Sequence, residues 1–158
     1  MANEITNGSA TPSRPISLSI PLPHAPTTKI SLQLTLESHH TLLFLTTSTS
    51  DSPSGLCSLG SFVYALPNRL NPSQPLSTPL YSMGDSLDFA TRMAKLLAKK
   101  LGVPCYVGNS MNFSGMGRGG DVEEEMEGFR LVVKVVMSEV EKAGLLNGGV
   151  EGLSLRET

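Results

Sequence analysis

The sequence predicts an α+β fold in which about six strands form a mostly antiparallel sheet or sandwich with two amphipathic helices. Three observations support this prediction. Short apolar segments with alternating polarity recur in the first half of the chain, a strand-helix-strand unit occupies the middle, and a second apolar helix follows it. The chain has 158 residues, of which 39% are hydrophobic, and this is enough for one domain with a packed core.

Alternating polarity predicts the first two strands. Residues 1–15 are rich in Asn, Ser, Thr and Pro and are expected to form a disordered N-terminal extension. Apolar residues then occupy every second position of 16–22 and of 30–36, so each segment is predicted to be a strand with one apolar face. The segment 23–28, PHAPTT, is predicted to be the turn that joins them as an antiparallel hairpin.

Two compact apolar runs predict the next strands. Residues 42–45, LLFL, are apolar on both faces and are expected to form a central strand. A loop rich in Ser, Thr, Pro and Gly is predicted over 46–58. A further strand is predicted over 62–66, and proline predicts another loop over 67–75.

The segment 77–113 predicts a strand, a capped helix and a second strand that lies parallel to the first in one sheet. Asp85 or Ser86 is expected to accept hydrogen bonds from the first free N–H groups of this helix. Gly102 is expected to end the helix in a left-handed conformation, since Pro104 cannot readily continue it. The predicted buried stripe consists of Ala90, Met93, Ala94, Leu97 and Leu101.

The last predicted element is a helix over 122–143 whose acidic first turn suits the positive end of the helix dipole. Its apolar stripe is expected to dock on the sheet or on a partner. This stripe comprises Met126, Phe129, Val133, Val136 and Val140, widened by Val132 and Val135. The predicted single domain therefore spans 16–143, and 144–158 is expected to be a flexible tail.

Composition argues against several classes of function. The net charge of -2 and the pI near 5.9 give no general attraction to nucleic acid. The sequence contains no run of about eighteen apolar residues, so no membrane span is predicted. Cys57 and Cys105 do not form a disulfide-rich framework, and no signal-peptide pattern is present. We therefore expect a cytoplasmic protein, with the nucleus as a second compartment.

The sequence offers no convergent catalytic or metal-binding set. His39 and His40 are adjacent and would point to opposite faces of a strand, while His24 lies in a proline-rich turn. The two cysteines have no neighbouring histidine in sequence, and no serine lies in a G-x-S-x-G segment. We predict a non-enzymatic protein with no catalytic residue, metal or cofactor.

The glycine segment 115–120, GMGRGG, matches the spacing of dinucleotide-binding loops. Asp121 and the acidic residues 123–125 follow it, where they would repel a pyrophosphate at the helix N-terminus. No second strand with a ribose-binding acid follows. We therefore predict a flexible loop, and a small nucleotide- or cofactor-binding protein that uses 115–120 is the alternative.

A basic face on the first helix is the candidate partner-binding site. It consists of Arg92, Lys95, Lys99 and Lys100, which lie largely opposite the apolar stripe. Such a face can be merely solvated, or it can meet an acidic protein surface. We predict that it contacts a protein partner.

Four segments carry a resemblance to a known family. They are LLFL at 42–45, SLGSFVYAL at 58–66, STPLYSMGDSLDFATRMAKLLAKKLGVPCYVGNS at 77–110 and EEEMEGF at 123–129. In this order they resemble the proteasome assembly chaperone 4 family, including its fungal members, over residues 16–143. The N-terminal extension, the two long loops, the glycine insertion and the tail depart from the compact family pattern.

The resemblance implies a small non-catalytic chaperone that forms a heterodimer with the related proteasome assembly chaperone 3. It further implies that the pair binds alpha-type proteasome subunits, chiefly the fifth. Binding would promote formation of the alpha ring of the core particle, and the pair would leave before maturation. Neither a nucleic acid nor a membrane is implied as a partner.

Overall fold

The sheet of the computed structural model has six strands, and both helices pack on the same side of it. The structure describes residues 13–50, 57–113 and 122–145. The predicted glycine loop and most of the predicted N-terminal extension and C-terminal tail lie outside the described residues. The elements are β1 (Ile16–Leu22), β2 (Ala25–Leu36), β3 (Thr41–Thr49), β4 (Ser61–Leu66), β5 (Leu76–Tyr81), α1 (Ser86–Leu101), β6 (Cys105–Asn109) and α2 (Val122–Lys142).

The strands are arranged in the order β1-β2-β3-β6-β4-β5. Every neighbouring pair is antiparallel except β3 and β6, which are parallel. The α+β prediction is therefore confirmed. The strands that flank α1, β5 and β6, are parallel in one sheet as predicted, but β4 lies between them. Both edge strands contain a proline, Pro21 in β1 and Pro79 in β5.

The core lies between the sheet and the two helices. The buried side chains alternate along the strands, and those that are almost fully buried include Ile30, Leu34, Leu43, Val63 and Val107. Helix α1 packs across β4, β5 and β6, while α2 packs across β1 and β2 and touches α1. The opposite face of the sheet has no covering element among the described residues.

Two predicted loops are shorter than expected. The predicted turn over 23–28 is wrong in extent, because only Pro23 and His24 turn and β2 already begins at Ala25. The predicted loop over 46–58 is also wrong at its start, since β3 continues to Thr49 and pairs with β2 along its whole length. β-Branched threonines favour extended backbone, so the Ser/Thr-rich composition was compatible with a strand.

Helix α1 ends as predicted but begins differently. Gly102 has φ 67° and its N–H donates to the Ala98 carbonyl, so the left-handed C-cap is confirmed. Asp85 is the N-cap residue, but its side chain makes no capping hydrogen bond. The Ser86 hydroxyl instead donates to the Met83 carbonyl and accepts from the N–H of Ser61. The predicted side-chain cap is therefore wrong, because this hydroxyl joins α1 to β4.

Helix α2 lies over the predicted residues, and Val132, Val136 and Val140 of its predicted stripe are buried, while Phe129 and Val133 are partly buried against the core. The buried residues are Gly128, Val132, Val136 and Val140, which recur every four residues. A Cβ on Gly128 would lie 3.2 Å from Phe113 and 3.3 Å from Ile30, so glycine lets the helix approach the sheet closely. Met126, the first residue of the predicted stripe, is 45% exposed, so this part of the prediction is wrong.

Candidate partner-binding face

The uncovered face of the sheet carries large side chains in aligned rows. Phe44 on β3, Gly108 on β6 and Phe62 on β4 are register partners. The next row contains Leu42, Tyr106 and Tyr64. We call Phe44, Phe62, Tyr64 and Tyr106 the aromatic ridge; all four are half-buried, although no helix or strand among the described residues covers them.

The rings of the aromatic ridge contact one another across three strands. Phe44 and Phe62 are stacked with centroids 6.0 Å apart, and Phe62 and Tyr106 are stacked at 6.1 Å. Tyr106 and Tyr64 are tilted at 4.6 Å. These separations are typical of favourable aromatic pairs. The ridge therefore forms one continuous aromatic surface across β3, β6 and β4.

Gly108 allows Phe44 to lie across β6. A Cβ at this position would be 2.6 Å from Cδ1 of Phe44 and 3.1 Å from Cδ1 of Leu59. Since real Cβ atoms do not approach so closely, any side chain at position 108 must displace the phenylalanine ring. The glycine is thus part of the geometry of the ridge.

The ridge and its aligned neighbours are uncharged. Register places Gln33 and Tyr81 in the row of Phe44, and Thr35 and Thr78 in the row of Tyr106. Interface cores between proteins are depleted of charge and enriched in Tyr and Phe. The composition of this face therefore matches that of a protein-protein interface.

Arg92 is the predicted partner-binding residue with the most contacts within the chain. Its guanidinium lies 2.8 Å from the carboxylate of Asp88 and 2.7 Å from that of Glu125. The same group lies 5.4 Å from the centroid of the Phe129 ring, which is within the range of a cation-π contact. Arg92 therefore joins α1 to α2.

The three predicted lysines lie on the outer side of α1. Lys95 is half-buried, whereas Lys99 and Lys100 are exposed in the last turn. At about 100° per residue, Arg92, Lys95 and Lys99 form one stripe and Lys100 lies to its side. Because both helices cover one face of the sheet, these lysines and the aromatic ridge lie on opposite sides of the molecule.

A polar cavity of about 400 Å³ lies where the N-terminus of α1 meets the end of β6. Asn109 is buried there and is satisfied, since it donates to the Ser86 carbonyl at 3.2 Å and accepts from the Met111 N–H at 3.1 Å. Asp85 and Glu125 also line the cavity. These carboxylates give it an acidic character that does not suit a phosphate.

The two cysteines are both free and have opposite environments. Cys57 is exposed. Cys105 is buried, and burial raises the pKa of its thiol from 9.0 to about 12 against a smaller lowering by a hydrogen bond with Thr41. The Cys105 thiol is therefore protonated at neutral pH and is a packing group rather than a nucleophile.

Within the ranges that the structure describes, no three His, Cys, Asp or Glu side chains are grouped so that they could hold a metal ion. His24 approaches Glu127 at 3.6 Å, and His40 approaches Glu37 at the same distance.

The described helices include none that is both long and apolar enough to cross a membrane.

Comparison with known families places the chain among the proteasome assembly chaperones. The family model described as proteasome assembly chaperone 4 matches residues 29–111, just over half of the chain, and the chain therefore belongs to this family. The matched region runs from β2 through the end of β6 and includes the whole aromatic ridge.

A solved structure shares the fold. It is the crystal structure of a novel chaperone complex for yeast 20S proteasome assembly, of which one chain aligns with a TM-score of 0.56 and 20% identity. The alignment covers 84% of this chain and 97% of that chain. Comparison with curated proteins gave no match.

The aromatic ridge is not predicted by any local pattern of the sequence. Its members come from three strands, and their adjacency depends on β6 lying between β3 and β4. One signal was present in Leu42 to Leu45, which is apolar on both faces. Both helices pack on one side of the six-stranded sheet, so the second face has no helix over it in the part of the chain that the structure describes.

Proposed function

We propose that this chaperone is non-catalytic and forms a heterodimer with proteasome assembly chaperone 3 through the uncovered face of its sheet. In this proposal the pair binds alpha-type subunits, chiefly the fifth, and promotes formation of the alpha ring of the core particle. It acts in the cytoplasm and also in the nucleus. The observation that carries the proposal is the uncharged aromatic ridge on a face that no helix or strand of the described residues covers.

Physical chemistry favours burial of this face. Aromatic side chains contribute strongly to the free energy of protein association because each offers a large apolar area with few rotatable bonds. The ridge is also rigid, since its rings already contact one another. A preformed surface loses little side-chain entropy on binding, so more of the burial free energy stabilises the complex.

Family membership supports the choice of partner. The solved chain that shares this fold belongs to a complex for yeast 20S proteasome assembly. A related chaperone would present a sheet of the same kind, and two sheets packed face to face would bury both apolar surfaces. The heterodimer would then be a sandwich with helices on its two outer sides.

The outer surface of α1 is available for an alpha-type subunit in this arrangement. Lys95, Lys99 and Lys100 lie on the side of the molecule opposite the aromatic ridge. The third chaperone and the alpha subunit would therefore bind different surfaces of this chain and would not compete. Basic residues at such a contact increase the association rate with an acidic patch more than they increase affinity.

This arrangement gives the heterodimer a mechanism without covalent chemistry. Binding of two surfaces at once raises the effective concentration of neighbouring subunits. A bound chaperone also covers a surface that could otherwise pair with the wrong subunit. Neither effect requires a nucleotide, and the carboxylates of Asp85 and Glu125 in the cavity beside α1 would disfavour one.

Co-expression with the matching third chaperone tests the proposal. Purification through a tag on one chain should recover a stable one-to-one complex, and that complex should capture the fifth alpha subunit. The Phe62→Asp variant should abolish recovery, because it places a charge in the ridge. Leu70→Asp is the matched control, since Leu70 is 98% exposed in a loop. Recovery of no complex with the unmodified chain would reject the proposed function.

A further inference from the structure

Thr78 and Pro79 form an exposed Thr-Pro dipeptide on the edge strand β5. Proline also follows threonine or serine at 11–12 and 52–53, but both of these dipeptides lie outside the described residues. Proline has no N–H group, and the proline-directed class of protein kinases selects this property at the residue after the acceptor. Such enzymes bind their substrate as an extended chain, which is the conformation that β5 gives to Thr78 and Pro79.

We propose that Thr78 is a phosphorylation site for a proline-directed kinase and that its phosphate prevents the uncovered face of the sheet from being covered by a partner. The modification does not depend on a partner, whereas its effect on association rests on the proposed function. The phosphoryl donor is ATP. A bond forms between the γ-phosphorus and Oγ1 of Thr78, the bond to the departing oxygen of ADP breaks, and a kinase carboxylate takes the hydroxyl proton.

The hydroxyl group of Thr78 is available to an enzyme. It makes no side-chain hydrogen bond with any residue that the structure describes, and the residue is exposed. The hydroxyls of Ser61 and Ser86 differ in this respect, since they lie 2.7 Å apart in a hydrogen bond that joins β4 to α1. Transfer of a phosphate to Thr78 therefore breaks no side-chain interaction of the fold.

The backbone around Thr78 is held on one side only. Strand β5 is at the edge of the sheet and pairs with β4 alone. Pro79 cannot donate a hydrogen bond, and the register shifts between Phe62 and Val63, so Leu80 has no register partner. Because few ladder hydrogen bonds hold this segment, a kinase can lift it from β4 at a much lower cost than that of global unfolding.

The position of Thr78 determines what its phosphate would do. Thr78 is the register partner of Tyr64, and register partners on adjacent strands place their side chains on the same face of the sheet. A phosphate on Thr78 therefore puts about 1.5 to 2 negative charges beside the aromatic ridge at neutral pH. No residue of 70–84 is charged, so this stretch of the chain supplies no counter-ion.

Such a phosphate is compatible with an open face and not with a covered one. On the open face it stays hydrated, whereas a partner chain that covers Tyr64 would remove this hydration without compensation from the stretch 70–84. The same partner would also cover Thr78 and keep a kinase away from it. Binding and phosphorylation therefore oppose each other, and linkage makes the two effects reciprocal.

Phosphorylation of the isolated full-length chain tests the site. The Thr11→Ala/Ser52→Ala chain, incubated with ATP and either a purified mitogen-activated protein kinase or a purified cyclin-dependent kinase, should gain one phosphate, which mass spectrometry should locate on Thr78. Adding Thr78→Val should abolish the gain, and valine retains the β-branched shape that suits a strand. Incorporation that persists in the Thr78→Val chain, or no incorporation with either kinase, would overturn the site.

The Kd of the heterodimer tests the effect of the phosphate. The phosphorylated chain should bind the third chaperone with a Kd about tenfold or more higher, and phosphatase treatment should restore the original value. Thr78→Glu should weaken binding in the same direction. Gln74→Glu is the matched control, since it adds the same charge in the exposed loop before β5 and should leave the Kd unchanged. The preformed heterodimer should be phosphorylated about tenfold or more slowly than the isolated chain.

The outcomes distinguish failure of this inference from failure of the proposed function. If the unmodified chain binds no third chaperone, the proposed function fails, while incorporation at Thr78 still decides whether the site exists. If the heterodimer forms and the phosphorylated chain binds with an equal or lower Kd, the function stands and control by the phosphate is rejected. Equal rates of phosphorylation for the isolated chain and the heterodimer would also reject it.

Discussion

Arg92 on α1 and Glu125 on α2 form an ion pair in which Nη2 lies 2.7 Å from Oε1. The pair is partly exposed, with 45% and 40% of the two side chains accessible. The Phe129 ring lies under the same guanidinium. This contact makes Arg92 a link between the two helices as well as a member of the basic face.

We predict that Arg92→Gln lowers the free energy of unfolding by about 0.5 to 1 kcal/mol, since it removes a surface ion pair and a cation-π contact. Urea denaturation would measure the loss, which should shrink at high salt because exposed charges are screened. Lys99→Gln is the control and should leave the free energy of unfolding nearly unchanged. Equal effects of the two substitutions would contradict a linking role for Arg92.

The double variant Lys99→Glu/Lys100→Glu should slow capture of the alpha-type subunit by roughly tenfold at low salt, because reversed charges repel an acidic patch. Heterodimer formation should not change, since these residues lie opposite the aromatic ridge. Arg14→Glu/Arg69→Glu makes the same change in net charge on exposed residues elsewhere. Surface plasmon resonance would compare the association rates, and an unchanged rate would remove the basic face as a contact.

Gly108→Ala should destabilise the isolated chain by about 1 to 3 kcal/mol, because its Cβ would overlap the Phe44 ring and force it to move. The same variant should weaken the heterodimer by disturbing the ridge. Adding Phe44→Leu should recover part of the lost stability, since the smaller side chain makes room. A double-mutant cycle measured by thermal unfolding checks this coupling. Additive effects would show that the two residues are independent.

The buried Cys105 thiol predicts a dependence of stability on alkaline pH. Its pKa is raised in the folded chain from 9.0 to about 12, so below pH 9 the thiol is protonated in both states. As the pH rises above 9, the unfolded thiol ionises and the folded thiol does not. Stability is therefore lost relative to Cys105→Ala, by up to about 1.4 kcal/mol per pH unit.

Denaturant unfolding of both chains between pH 8 and roughly pH 11 would measure this difference, because titration of lysines and tyrosines is common to the two chains and cancels. Cys57→Ala is the matched control, and its stability should follow that of the unmodified chain. Parallel curves for the unmodified chain and Cys105→Ala would contradict the raised pKa.

Local signals in the sequence were sufficient for most element types. Gly102 ends α1 because only glycine adopts its φ of 67° without strain, and this is visible in one residue and its neighbours. The start of β2 was missed because Pro26 and Thr27 resemble a turn and have no register partner in β1 or β3. The Thr27 carbonyl instead accepts hydrogen bonds from the N–H and the hydroxyl of Ser50, a contact between residues far apart in the chain that no local pattern indicates.

The candidate site was less accessible to sequence reasoning. Phe44 and Tyr106 are far apart in the chain, and no local pattern indicates that β6 pairs with both β3 and β4. The basic face was visible as a helical stripe, but its interaction with α2 was not, because Glu125 belongs to another element. The order of the strands and the contact between the helices depend on segments that are distant in the chain, so no local sequence pattern predicts them.

The prolines in the two edge strands affect whether further strands can add to the sheet of the isolated chain. A protein with an open apolar face is at risk of aggregation, and unpaired strand edges are the usual template for fibre growth. Pro21 and Pro79 each lack the N–H group that an added strand would need. Lateral addition of further strands is thereby hindered at both edges of the sheet, which leaves the face of the sheet as the surface open to association.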